Sequence, residues 1–224
     1  MPLLWETLFR AMGKKINEAF FPKDQRHVIF TLPGPLWDVV GSKAEILIED
    51  MFEAAKTVIL RIFKDRFGKT RVRPGMICVI HYSGRDMKYN PHIHMLVTEG
   101  GLTLGGHWKR HYYWDYSKMN IYWKYEVLKR FRFHCRDSLK IKSLIDKQQK
   151  MRFKDNTNGY VVKNYRGVLD VKNIGSYLAR YVRHPPIGES RILAFNGETI
   201  RIKYEWDNKI HETEINITAI IQSL

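Results

Sequence analysis

Two apolar runs rich in β-formers stand close together in the chain. "GMICVIHYSG" (75–84) and "PHIHMLVTEGG" (91–101) are joined only by the polar "RDMKYN" (85–90). Parallel strands need a crossover of roughly a dozen residues or more, so a link this short leaves an antiparallel hairpin. Everything else in the chain has to pack around that hairpin.

Before it, "RHVIFTLPGP" (26–35) is an apolar, β-branched run stopped by Pro33, Gly34 and Pro35, and reads as a first strand. "SKAEILIEDMFEAAKTVILRIFKDRFG" follows and predicts a long helix from Ser42, as its cap, to about Phe67, ended by Gly68. After the hairpin, residues 117–148 read as helix and "GYVVKNYRG" (159–167) as a short strand. A further helix from about Val171 to Arg183 is halted by Pro185 and Pro186. Two runs flank Asn196-Gly197, the strongest short hairpin signal, and the last residues look like another strand or a tail. The order β, α, β-hairpin, α, β, α, β-hairpin predicts an α+β domain: a central, mostly antiparallel sheet flanked by helices. Residues 25–224 are expected to form this domain. Residues 1–24 are expected to form an amphipathic helix, because Leu4, Leu8, Met12 and Ile16 recur at helical spacing.

The hydrophobic share of 44% supplies a core. The net charge of +15, from 38 Lys and Arg against 23 Asp and Glu, points to a polyanionic partner such as nucleic acid. Cys78 and Cys135 are the two cysteines, which excludes a disulfide framework and a four-cysteine zinc module and fits a reducing compartment. No apolar run approaches the roughly 18 residues of a membrane span. Charges interrupt the N-terminal apolar runs, so a signal peptide is not expected.

Three groups of residues carry chemistry. His92 and His94 are two apart in a strand, so both project from one face. Alone, the pattern fits either a metal-binding edge or two polar residues on a wet face. His81, at the end of the neighbouring hairpin strand, can bring a third imidazole to the same patch. Neutral imidazole is the commonest protein metal ligand, and three protein ligands with open positions mark a catalytic rather than a structural site. Asp86 and Glu99 are possible extra or substitute ligands. Ligand type alone also suits zinc and does not name the metal.

Next is "YLARY". Tyr177 and Tyr181 are four apart on an expected helix and share a face. They are either an aromatic face packed on the sheet or a pair of nucleophiles. The second role needs a metal or nearby cations, since a phenol with pKa near 10 is otherwise a poor nucleophile. Third, residues 107–154 interleave aromatics and bases, with Trp108, Lys109 and Arg110 at the start. Such mixtures bind single-stranded nucleic acid by stacking on bases and pairing with phosphates. Part of this aromatic content is also needed for a core.

Together these pieces resemble the HUH endonuclease superfamily, and within it the two-tyrosine transposases of rolling-circle insertion sequences. The likeness runs through "HVIFTLPGPLW", "VIHYSGRDMKYNPHIHMLVTEGGL", "IGSYLARYVRHPPIGESRI" and "LAFNGETIRIKY", in that order, from about residue 27 to 204. The resemblance implies a ferredoxin-like or RRM-like sheet. It implies a divalent ion, Mg²⁺ or Mn²⁺, on His92 and His94, with His81 as third ligand. It makes Tyr177 and Tyr181 the nucleophiles, lying on a helix across the metal site. Such relatives often carry a cysteine-rich zinc module before the catalytic domain, which two cysteines cannot build; the sequence is then either a compact variant or a fragment, which leaves its means of recognising element ends open and the nicking chemistry untouched.

The implied activity is nicking and strand transfer of single-stranded DNA through a 5′-phosphotyrosine, at element ends. Arg180, Arg183 and Lys163 are expected phosphate contacts. The expected setting is the cytoplasm of a prokaryote, on nucleoid DNA and without membrane contact; oligomeric state is not legible. A replication initiator or relaxase acting at an origin would use the same chemistry. A non-catalytic nucleic-acid-binding domain, with these histidines and tyrosines as mere surface and core, is the alternative of a different class.

Overall fold

The computed structural model describes residues 24–84, 86, 88–151, 159–169, 191–206 and 209–216. The expected N-terminal helix and the tyrosine-bearing helix lie outside the described residues.

The first strand, β1 (Gln25–Phe30), leads through a short 3-10 turn into α1 (Trp37–Ser42) and α2 (Ala44–Phe67). The hairpin forms as expected, from β2 (Met76–Ser83) and β3 (Tyr89–Thr98). Two short strands follow, β4 (Gly100–Leu102) and β5 (Trp108–Arg110). Then come α3 (Tyr116–His134), α4 (Leu139–Lys150) and β6 (Val162–Leu169). Among the described residues β4 and β5 pair as a two-stranded sheet, and a separate three-stranded sheet is built from β7 (Ile192–Phe195), β8 (Thr199–Trp206) and β9 (Lys209–Asn216).

The central sheet has the order β2-β3-β1-β6, and all its pairings are antiparallel. With α2 between β1 and β2, and α3 between β3 and β6, this is the split βαβ pattern of an α+β domain. The expected fold class is therefore the observed one. Strand alternation then gives the sheet two different faces. Val28, Phe30, Ile93, Met95 and Val97 point into the main core, where they meet Leu47, Met51, Val58 and Phe63 of α2 and Trp123 and Phe131 of α3. The Trp123 indole packs edge-on against Phe30 at 5.2 Å and donates its N–H to the Thr31 carbonyl at 2.6 Å. Asp50 on α2 accepts a 2.6 Å hydrogen bond from His134 at the end of α3, tying the two helices together.

Three local expectations are corrected. Ser42 is the last residue of α1 rather than a cap, its hydroxyl donating to the Val39 carbonyl at 2.8 Å. Lys43, at φ −140°, separates α1 from α2. The long helix expected over 117–148 is two helices broken at Cys135–Ser138. Ser138 restarts it by accepting from the Ile141 amide, because a serine oxygen satisfies an amide that has no partner in a first turn. Gly100 and Gly101 do not simply end a strand: they open β4, where a Cβ at either would stand 2.4 Å from a backbone oxygen, that of Lys109 or of Arg73. Gly68 does end α2, at φ +58°, a conformation glycine adopts without strain.

The Asn196-Gly197 hairpin forms between β7 and β8. The Asn196 side-chain oxygen accepts from the amides of Glu198 (3.0 Å) and Thr199 (2.7 Å), and Gly197 takes φ +99°. The tail pairs with β8 as β9.

Candidate functional site

The register of the hairpin decides where the histidines go. His81 on β2 stands directly opposite His92 on β3, and cross-strand partners project from the same side. His94, two residues on, shares that side. All three therefore lie on the sheet face turned away from α2 and α3, and Ile93 and Met95 alternate into the core. The rings converge: His81 stacks on His94 with centroids 4.1 Å apart, and His92 lies 5.4 Å from His81 and 4.9 Å from His94. One nitrogen from each lies within 4.8 Å of the others, close enough to share one ion.

The electrostatics suit a cation. Burial, with some contribution from His92, pushes His81 down to about 4. Burial also pushes His92 and His94 below the ordinary imidazole range, helped for His94 by the neighbouring imidazoles and for His92 by Lys163. Near neutral pH all three are uncharged and carry lone pairs. The His92 Nδ1 is 2.7 Å from the Asn90 carbonyl oxygen. A carbonyl can only accept, so Nδ1 holds the proton and Nε2 is left for a ligand. Outer partners of this kind fix the ring of a metal-binding histidine. The donor set therefore fits a divalent ion.

A fourth imidazole went unnoticed in the sequence. His27 on β1 is fully buried, and its Nε2 lies 2.8 Å from the His94 Nδ1. His27 is opposite Leu96 and Ile29 is opposite His94, so the β1–β3 register puts His27 on the histidine face, one diagonal step away. The even spacing of His27 and Ile29 was the only sequence signal, and it acquires meaning only once β1 is known to pair with β3.

Lys163 is exposed on β6 opposite Ile29, which is itself opposite His94. Lys163, Ile29 and His94 thus form one row across the sheet, with Lys163 about 10 Å from His94 at the usual strand spacing. Trp108, Lys109 and Arg110 lie on β5, away from the histidines. Trp108 is half-buried over Gly100; Lys109 and Arg110 are exposed, with Arg110 3.0 Å from Asp24 and 5.4 Å from the Tyr112 ring centre. Among the described residues, Asp86 and Glu99 are not part of the metal-capable group. Asp86 sits in the hairpin link beside Lys88, and Glu99 pairs with Arg26 beyond the far end of β3. Tyr177, Tyr181, Arg180 and Arg183 lie outside the described residues.

No helix of the described residues is long and apolar enough to cross a membrane. No solved structure matches the chain. The transposase for insertion sequence element IS801 of Pseudomonas savastanoi pv. phaseolicola is 26% identical to it over 195 residues, covering 80% of this chain. The chain corresponds to 44% of that relative's length. The sequence model of the Y2 transposase family, described as "Putative transposase", matches residues 75–222, which include the hairpin, all three converging histidines and the "YLARY" segment. The chain belongs to the Y2 transposase family.

Proposed function

We propose that the chain is a transposase that nicks single-stranded DNA at element ends and rejoins it, in a divalent-metal-dependent reaction with a tyrosine nucleophile. The observation that carries this is the convergence of three neutral imidazoles on one sheet face of a chain in a transposase family. His81, His92 and His94 would hold the ion, Mg²⁺ or Mn²⁺. When bound, it supplies charge neutralisation at an oxygen of the scissile phosphate.

The remaining chemistry belongs to the chain. Tyr177 or Tyr181 attacks phosphorus, forming a tyrosine O–P bond as the P–O3′ bond breaks. The phenol proton ends on the departing 3′ oxygen, leaving a free 3′-hydroxyl and a 5′-phosphotyrosine. The new ester keeps the energy of the old one, so a DNA hydroxyl can reverse the step without ATP. A second tyrosine allows a second cleavage while the first is occupied. Lys163 projects from the histidine face and is assigned a phosphate contact; Arg180 and Arg183 are assigned the same role from their closeness to the tyrosines in sequence. Exposed Lys109 and Arg110, with Trp108, provide a further DNA contact at β5. Residues 25–224 act as the catalytic domain, with residues 1–24 as an appended helix, working on DNA in the cytoplasm of a prokaryotic cell. Both comparisons name transposases, which favours element ends over a replication origin.

The test is a labelled single-stranded oligonucleotide incubated with Mn²⁺, which should give an SDS-resistant adduct that chelator prevents. An undiminished adduct in the Tyr177→Phe, Tyr181→Phe double variant refutes the nucleophile. Full cleavage by the His92→Ala, His94→Ala variant refutes the metal role.

A further inference from the structure

We infer that His27 is a positioning residue for the metal site: its Nε2 accepts a hydrogen bond from the His94 Nδ1–H and thereby points the His94 Nε2 lone pair at the ion. This rests on the metal reading above and deepens it.

The two nitrogens are 2.8 Å apart, so a single proton lies between them. Only two neutral arrangements exist. If His27 donates, the His94 Nδ1 lone pair is occupied and its proton sits on Nε2; neither nitrogen can then ligate. If His94 donates, its Nε2 lone pair is free. A metal-competent His94 therefore requires His27 as acceptor.

Burial makes this arrangement durable. His27 is fully buried and His94 is 9% exposed, so water cannot easily replace either partner. The rings are tilted by 33° with centroids 4.9 Å apart, which suits an in-plane hydrogen bond rather than stacking. His92 has the same device in backbone form, its Nδ1–H donating to the Asn90 carbonyl. His27 is not itself among the three residues whose ligand atoms converge. Unlike a carboxylate in that place, a neutral imidazole adds no negative charge, so the ion's full charge remains available to a phosphate.

The test compares His27→Leu, which removes the acceptor at similar volume, with His27→Gln, whose side-chain oxygen can still accept. Mn²⁺ affinity is read by electron paramagnetic resonance, and folding by thermal melting. His27→Leu should lose about 10- to 100-fold in affinity, the usual cost of an outer partner, while His27→Gln recovers most of it. In metal-free wild-type protein, ¹⁵N-histidine NMR should show His94 as the Nδ1–H tautomer, a readout that needs no variant to fold. An Nε2–H tautomer overturns the inference. So does a folded Leu variant that binds like wild type, or a Gln variant as weak as Leu. A wild-type protein that binds no Mn²⁺ refutes the metal reading instead, and the tautomer distinguishes the two failures.

Discussion

Adjacent residues on β3 should fail in opposite ways. Ile93 is fully buried and faces α2 and α3; His92 faces the metal group. Ile93→Ala removes three carbons from the core. At about 0.8 kcal/mol for each buried methylene the transfer loss is about 2.4 kcal/mol. The cavity left behind brings the total to about 2–5 kcal/mol. For a domain of this size that lowers the melting temperature by about 5–20 °C. Mn²⁺ affinity of the folded fraction should stay close to wild type, because no ligand changes. His92→Ala should do the reverse. It removes one hydrogen bond to the Asn90 carbonyl, costing about 1 kcal/mol, yet deletes a ligand. Its Mn²⁺ affinity should fall by more than the roughly 100-fold that loss of an outer partner costs. Denaturant titration followed by tryptophan fluorescence gives the stabilities, and Mn²⁺ titration below the midpoint gives the affinities. The alternation argument is refuted if folded Ile93→Ala loses metal as badly as His92→Ala, or if His92→Ala is the more destabilised of the two.

Three further outcomes are expected. Buried His111, packed among Phe63, Phe67 and Trp114, is pushed down to about 4 mainly by burial. Below the ordinary value of about 6.5 the unfolded chain takes up a proton that the folded one refuses, so stability is lost as pH falls from 6.5 towards 4. His111→Phe should flatten that slope by one proton in pH-dependent melts, and an unchanged slope refutes the assignment. Gly101→Ala places a Cβ 2.4 Å from the Arg73 carbonyl oxygen and should destabilise by about 1–3 kcal/mol in denaturant titration; a neutral effect would contradict the close approach. Lys163→Ala should reduce the salt dependence of single-stranded DNA binding by about 0.7 in log–log slope, one phosphate contact, and an unchanged slope removes Lys163 from the interface.

The hairpin was legible because its link is too short for any other connection, and the helix ending at Gly68 because a left-handed residue there favours glycine. The Asn196-Gly197 turn was legible for a similar reason: its chemistry lies within four residues. The break at Cys135–Ser138 was missed because no glycine or proline marks it and basic residues continue on both sides, and Ser138 is recognisable as a cap only once the first helix is seen to stop at His134. Gly100 and Gly101 looked like terminators because a sequence does not reveal a neighbouring backbone 2.4 Å away.

The site divides along the same line. Strand alternation is a local property, so the shared face of His92 and His94 followed from spacing alone, and one short link brought His81 opposite His92. His27 lies 67 residues from its hydrogen-bond partner. Its place depends on β1 entering between β3 and β6 in register, with Ile29 against His94. That register is chosen by burying Val28 and Phe30 against α2 and α3, a choice made by the whole core and written in no short segment.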